Sequence, residues 1–170
     1  SSSGVWLVNT TDPSQQKRLE GTTASTNLAI DSEGRCLATT ASDEASGVQL
    51  WNLPEGNSTP NKPLASAKAV TLAFSPVLAN GRVLLATGDS SSYHFWNSKN
   101  GWKEVKELKI NNHMTDIPGR MVFSPRGTAF TISHHRDSLK VLNPRSEPTM
   151  EVLIQPNFDE QWPLAISRDG

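Results

Sequence analysis

The amino-acid sequence predicts an all-β protein built from a repeated unit of four short antiparallel strands. Short runs of Val, Leu, Ile, Phe and Thr alternate with Gly, Pro, Asn and Asp, which is typical of strands separated by turns. These runs recur in the same order about every 45 residues. Apolar residues make up 35% of the 170 residues and charged residues 19%, a balance that favours turn-rich β structure over a helix bundle or disorder.

The first strand of each unit is an apolar run that leads to a glycine turn. Its four copies begin 44, 49 and 43 residues apart, at Leu28, Leu72, Met121 and Leu164. A glycine follows each run, and Gly34, Gly81 and Gly127 supply the positive φ that a tight hairpin requires. We therefore expect each first strand to form a hairpin with the second.

The second and third strands follow in a constant order. The second strand is predicted at 36–39, 83–87 and 129–132. The third strand ends in asparagine, and its four copies are 5–9, 48–52, 93–97 and 139–143. Their asparagines lie 43, 45 and 46 residues apart. Three independent spacings thus agree on one repeat.

A more polar fourth strand is expected after each asparagine, at 16–19, 62–65, 105–110 and 150–154. Its weaker apolar content suits an outer strand that is half exposed to water. Such a unit cannot bury both of its faces alone, so neighbouring units must stack on it.

These residues resemble the WD40 repeats. The stretches 72–76, 84–89 and 95–97 are similar to the family's inner strand, its second strand with a turn aspartate, and its Trp-Asp ending. The resemblance covers essentially the whole chain, and it implies a β-propeller segment of about four blades. The copies depart from the family pattern because each Trp-Asp has become Trp-Asn or apolar-Asn, and no Gly-His precedes an inner strand.

In the WD40 family a buried His, Ser or Thr, Asp and Trp form a hydrogen-bonded tetrad within a blade. The resemblance carries over Thr39 with Trp51 in one unit, and Thr87 with Trp96 and Asp89 in the next. These five residues are the predicted structural core of the blades. Trp102 and Trp162 lie outside the repeat register, so we interpret them as candidate contacts with a partner.

The repeat divides the chain into full blades at 22–66, 67–112 and 113–157. Residues 1–21 supply the end of one blade and 158–170 the start of another. Since bare blade faces and open strand edges attract other chains, we expect the remaining blades to come from a longer parent chain or, less favoured, from a second chain.

The residues that could bind a metal or act in catalysis are better explained by structural roles. His134, His135 and Asp137, with His113, lack metal-ligand spacing and suggest an exposed turn at 134–137. Cys36 opens an apolar strand, which favours a buried, inert thiol. Ser75 and Ser124 lack the Gly-x-Ser-x-Gly elbow of hydrolases. The sequence therefore predicts no catalytic residue, no metal and no cofactor.

The charge pattern limits the partners. The net charge is −1, and the charged stretch 99–109 mixes both signs. Nucleic acid is therefore an unlikely partner, and a solvated outer strand explains this stretch better. The residues at 102, 105 and 108 also match one face of a helix. The sequence shows no membrane span and no signal peptide, and its single cysteine mildly favours the cytoplasm or nucleus.

Two function classes remain open from the sequence. The resemblance implies a non-catalytic scaffold that binds other proteins within a multi-subunit assembly. The alternative is part of an enzymatic propeller, hydrolase or lactonase-like, with its site in the central channel. The scaffold is preferred because acidic residues and histidines are missing from the starts of the inner strands.

Overall fold

The computed structural model describes residues 4–19, 25–41, 47–53, 61–64, 69, 71–89, 92–106, 110–111, 118–127, 130–134, 138–142 and 151–154. In these residues the regular structure consists of strands, apart from a 3₁₀ turn at Ser98–Asn100 and 3₁₀ backbone at Lys106. Every strand pairing within them is antiparallel. The predicted all-β class is confirmed.

The described strands form four sheets that follow one another along the chain. The first sheet pairs β1 (Trp6–Val8) with β2 (Gln16–Arg18). The second sheet has the order β3 (Ser25–Ile30), β4 (Cys36–Ala41), β5 (Val48–Asn52), β6 (Asn61–Leu64). The third contains β7 (Thr71–Phe74), β8 (Leu84–Gly88) and β9 (Ser92–Asn97), and both β10 (Lys103–Glu104) and β11 (Ile110–Asn111) pair with β9. The fourth has the order β12 (Pro118–Phe123), β13 (Phe130–His134), β14 (Ser138–Leu142), β15 (Glu151–Ile154).

The hairpin between the first two strands of the second, third and fourth sheets contains a glycine with positive φ. Gly34, Gly81 and Gly127 have φ of 67°, 71° and 63°. Backbone hydrogen bonds close these turns, from Gly34 N to Asp31 O at 3.0 Å and from Gly127 N to Ser124 O at 2.8 Å. A side chain other than glycine would strain this left-handed backbone, so the glycine spacing in the sequence fixes where each hairpin turns.

The second and third sheets each contribute to two apolar layers, because alternate residues of a strand point to opposite faces. The layer between the first and second sheets holds Leu19, Leu37 and Trp51, with Val5, Leu7 and Leu53 packed against it. The layer between the second and third sheets holds Ala38, Val48, Leu50, Leu64, Ala69, Leu85 and Trp96. The layer between the third and fourth sheets holds Ala73, Leu78, Leu84, Ala86, Tyr93, Phe95, Met121 and Phe123.

The stacking of the sheets explains how such short strands form a core. The inner strands β3, β7 and β12 contact one another in succession. In β8, Leu84 faces the fourth sheet and Leu85 faces the second, and both are completely buried. Neighbouring sheets therefore cover both faces of the third sheet, as the repeat pattern predicts.

The outer strand of the third sheet differs from the prediction of a continuous strand at 105–110. Pairing with β9 begins at Lys103, because the 3₁₀ turn and Gly101 return the chain to β9 two residues early. Val105 then packs against the layer between the third and fourth sheets, while Lys106 is exposed. The span thus contains the two short strands β10 and β11, while Lys106 has 3₁₀ backbone and 107–109 lie outside the described residues, so the helical alternative at 102, 105 and 108 stays open.

The second correction concerns His134, which was predicted to lie in an exposed turn. It is the last residue of β13, where it pairs with Pro118 of β12. The pairing with β12 extends β13 beyond the apolar run that marked the strand in the sequence. His135 and Asp137 lie outside the described residues, and the blade boundaries at 22–66, 67–112 and 113–157 stay a prediction.

Candidate functional site

Two buried threonine–tryptophan pairs occupy equivalent places in consecutive sheets. In the second sheet, Trp51 pairs with Leu37 across β4 and β5, so its ring reaches the diagonal neighbour Thr39. The Nε1–H of Trp51 donates to Thr39 Oγ1 at 3.0 Å. Both side chains are buried, and the bond satisfies the one polar hydrogen of the indole inside an apolar layer.

The same arrangement recurs in the third sheet. Trp96 pairs with Leu85, and its Nε1–H donates to Thr87 Oγ1 at 3.0 Å. Asp89 lies in the turn after β8, where its Oδ1 accepts from Ser92 N at 2.7 Å. The structure thus brings Thr39 to Trp51 and Thr87 to Trp96, while Asp89 holds the turn between β8 and β9.

His94 joins this group in the third sheet, and the sequence reasoning missed it. Its ring stacks on Trp96, with centroids 6.2 Å apart and planes at 29°. Nδ1 lies 2.6 Å from Glu104 Oε1, and Nε2 lies 3.6 Å from Asp89 Oδ2. Since an ionised carboxylate only accepts, the Nδ1–H donates to Glu104.

The position of His94 explains why it was overlooked. A family tetrad suggests a histidine that precedes the inner strand in a Gly-His dipeptide, whereas His94 lies on β9, directly across from Thr87. The equivalent position in the second sheet is Gln49, across from Thr39. An alignment of the third strands of the repeats would therefore have singled out His94, which stands two residues before Trp96.

A polar residue follows the inner strand in the second, third and fourth sheets, and in the second and third its side chain holds the following hairpin. Asp31 Oδ1 accepts from Arg35 N at 2.7 Å and from Cys36 N at 3.1 Å. Ser75 Oγ accepts from Leu84 N at 2.8 Å and donates to Pro76 O at 2.9 Å. Ser75 and Ser124 are both buried. The Ser75 hydroxyl is thus committed to the backbone of its turn, which explains a serine before proline without catalysis.

Cys36 lies at the start of β4, half-buried against the layer between the second and third sheets. Burial, and secondarily the nearby carboxylate of Asp31, raises the pKa of its thiol from 9.0 to about 12. A thiol with this pKa is protonated at neutral pH. Because the thiolate is the reactive form, the raised pKa lowers the reactivity of Cys36 at neutral pH.

The raised pKa of Cys36 predicts how stability changes in alkali. Above about pH 9 the unfolded thiol loses its proton while the folded thiol keeps it, so the free energy of unfolding falls as the pH rises from 9 towards 12. Burial and the Asp89 carboxylate also raise the pKa of Tyr93, which adds a loss in the same direction. Denaturant unfolding of the intact protein between pH 8 and 11 should show this decline, and Cys36→Ser should make it shallower. An identical slope in the wild type and the variant would contradict the assignment.

The two tryptophans proposed as partner contacts have different outcomes. Trp102 is half-buried, and its ring meets Phe74 edge to face with centroids 5.8 Å apart and planes at 68°. It therefore rests on the layer between the second and third sheets. Trp162 lies outside the described residues. Trp6, on β1, is 45% exposed.

The described residues contain no group of three His, Cys, Asp or Glu side chains placed to hold a metal ion. His113, His135 and Asp137 are outside that part of the chain. No helix in the described part is long and apolar enough to span a membrane.

Comparison with solved structures identifies the fold. The chain superposes on the structure of U3-55K with a TM-score of 0.60 and 19% sequence identity, over 77% of this chain and 39% of that one. It superposes on the crystal structure of RRP9 WD40 repeats with a TM-score of 0.61 and 19% identity, over 77% of this chain and 38% of that one. The chain has the fold of a WD40 β-propeller segment.

The WD40 likeness is structural, since no protein-family model and no curated protein sequence matches the chain. The chain spans about two-fifths of the length of each of these two structures, at 39% and 38%. The resemblance inferred from the degenerate repeats is confirmed at the level of the fold. The roles expected of Thr39, Trp51, Thr87, Trp96 and Asp89 as a WD40-type core stay a prediction.

Proposed function

We propose that this chain is part of a WD40-like propeller that serves as a non-catalytic platform for binding other proteins inside the cell, within a multi-subunit assembly. The observation that carries the proposal is how the buried polar side chains of the sheets are used. Thr39 and Thr87 accept from tryptophans, and Asp31 and Ser75 hold hairpin turns. Because these polar groups stabilise the sheets, we infer that the protein binds its partners through its surface.

The exposed apolar face of β3 supports an assembly larger than this segment. Leu28 and Ile30 are 58% and 56% exposed. Their equivalents on β7 are Leu72 and Phe74, which pack against the layer shared with the second sheet. The repeat thus implies that further sheets cover Leu28 and Ile30, supplied by a longer parent chain in preference to a second chain.

Affinity purification of the intact, epitope-tagged protein tests the function. We expect one or more proteins to co-purify in fixed stoichiometry, with cross-links to exposed lysines such as Lys103 and Lys106. A matched sample carrying Trp96→Ala, which disrupts the layer between the second and third sheets, should lose these partners. Purification of a folded protein without a stoichiometric partner would contradict the proposal.

A further inference from the structure

The sequence contains two Asn-Gly dipeptides, Asn80-Gly81 and Asn100-Gly101. An asparagine before glycine can lose ammonia without an enzyme, because glycine has no side chain to shield the backbone nitrogen that attacks the carboxamide. Both dipeptides lie in turns of the third sheet, and all four residues are exposed. Both glycines have a positive φ, 71° and 64°. Since the two sites share these features, their hydrogen bonds and surroundings decide which one reacts faster.

The glycine nitrogen is less restrained at the second dipeptide. This nitrogen must lose its proton before it attacks, so a hydrogen bond that it donates opposes the reaction. Gly81 N donates to Leu78 O at 2.7 Å, whereas Gly101 N donates to Ser98 O at 3.2 Å, the outer limit for such a bond. The nitrogen of Gly101 is therefore released at lower cost.

The asparagine side chain is also less restrained at the second dipeptide. To react, the carboxamide must rotate until its carbon faces the glycine nitrogen. The Oδ1 atom of Asn80 accepts from Arg82 N at 3.1 Å, which holds that carboxamide in one orientation. Within the described part of the chain, no hydrogen bond holds the carboxamide of Asn100. The side chain of Asn100 can therefore reach the reactive orientation without breaking a bond.

Space and backbone strain favour the same site. Nothing lies within 4 Å of the point where a Cβ on Gly101 would stand, whereas Lys99 Nζ lies 3.6 Å from the same point on Gly81. Trp102, which follows Gly101, has φ of 58°, and no other non-glycine residue in the described part has a positive φ. A bulky residue is strained in this region, so opening the turn relieves strain and leaves room for a ring to form.

We propose that Asn100 is a site of spontaneous deamidation, and that its isoaspartyl product releases β10 from β9. The nitrogen of Gly101 loses its proton to a base in the solvent and attacks Cγ of Asn100. A new C–N bond forms, the bond from Cγ to the side-chain nitrogen breaks, and ammonia leaves after gaining a proton from water. Water then adds to either carbonyl of the succinimide ring and opens it to aspartate or isoaspartate. Overall, water is consumed and ammonia is released.

The isoaspartyl product affects the strand because it inserts a methylene group into the main chain of the turn. Directly after the turn, Trp102 N donates to Asn97 O at 2.9 Å, and Lys103 pairs with Asn97. A longer main chain shifts this register. Glu104 Oε1 then loses its place beside His94 Nδ1, which lies 2.6 Å away. We therefore expect the modification to loosen the outer edge of the third sheet.

The test incubates the intact protein in mildly alkaline buffer and follows each asparagine by peptide mapping with mass spectrometry. We expect Asn100 to convert about fivefold faster than Asn80, the factor that corresponds to one additional hydrogen bond of typical net strength. An isoaspartate-specific methyltransferase should label the peptide that contains position 100. Asn100→Gln should abolish this label, because its longer side chain cannot form the five-membered ring, and circular dichroism verifies that the variant is folded.

The same measurement in guanidinium chloride separates the effect of the fold from that of the dipeptide itself. In the unfolded chain, Asn80 and Asn100 should convert at similar rates, because the hydrogen bonds that distinguish them are lost. Equal rates in the folded protein would overturn the inference, as would the absence of conversion at Asn100. A difference between the two sites that persists in the unfolded chain would also overturn it.

Hydrogen exchange tests the effect on β10. The isoaspartate-containing fraction is separated from the unmodified protein by its additional negative charge. The amide of Val105 donates to Phe95 O at 2.7 Å and should exchange faster in this fraction. Freshly prepared Asn100→Asp carries the same charge without the extra methylene, so it should leave this exchange unchanged. Equal exchange of the Val105 amide in the modified and unmodified proteins would contradict the release of β10.

Discussion

Replacing Trp96 with alanine is expected to lower the free energy of unfolding by about 3 to 5 kcal/mol. Trp96 is 5% exposed and lies in the layer between the second and third sheets. The substitution removes a large buried ring, leaves a cavity, and deprives Thr87 of the indole N–H at 3.0 Å. Denaturant unfolding of the intact protein should show a lower midpoint with little change in slope.

Two further variants show which part of the loss each interaction causes. Thr87→Val keeps the volume of the side chain but leaves the indole N–H of Trp96 without its acceptor, so we expect a loss of roughly 1 to 3 kcal/mol. Trp6→Ala removes an exposed ring and should change stability by no more than about 0.5 kcal/mol. An unfolding midpoint that Trp96→Ala leaves unchanged would show that the layer between these two sheets is assigned incorrectly.

Gly127→Ala is expected to destabilise the protein by about 2 to 4 kcal/mol, because it combines backbone strain with a steric clash. Gly127 has φ of +63°, which disfavours a side chain. An added Cβ would stand 2.4 Å from Leu78 Cδ2 and 3.3 Å from Pro76 Cγ. Both neighbours belong to the third sheet's hairpin, and Leu78 is buried, so it has little room to move.

Gly34→Ala provides the matched control for this prediction. Gly34 occupies the equivalent hairpin of the second sheet with φ of +67°, but nothing lies within 4 Å of an added Cβ. The expected loss is about 1 kcal/mol, from backbone strain alone. The difference between the two variants measures the contact between the hairpins of the third and fourth sheets. Equal losses in thermal or denaturant unfolding would mean that these hairpins do not touch.

The strand order could be predicted because each element carries a local signal. The apolar runs that begin at Leu72 and Met121 form inner strands. The hairpins after them turn at Gly81 and Gly127, which have positive φ in the structure. Turn chemistry and period-two alternation act over only a few residues, so they can be read from the chain itself. The threonine–tryptophan pairs were expected only from the WD40 resemblance, and the structure supplies the physical reason, because the antiparallel register places Thr87 diagonally from Trp96.

Other features depended on contacts between distant residues. The outer strand of the third sheet begins at Lys103, where the turn after β9 returns the chain, and Val105 N still donates to Phe95 O of β9 at 2.7 Å. His94 acquires its role only when Asp89 and Glu104 approach it from a turn and from an outer strand. The ring of Trp102 rests on Phe74, 28 positions earlier in the chain (102 − 74). None of these neighbours can be inferred from the spacing of a single repeat.

The sequence by itself determined the repeat, the antiparallel order of the strands and the position of the hairpins, because strand periodicity and glycine turns are properties of short segments. The tertiary structure alone decided which side of each sheet faces which neighbour, where the outer strand begins, and that the ring of Trp102 packs on Phe74. Those outcomes are set by the packing of one sheet against the next. That packing balances side-chain volume, hydrogen bonding and charge across residues that lie far apart in the chain.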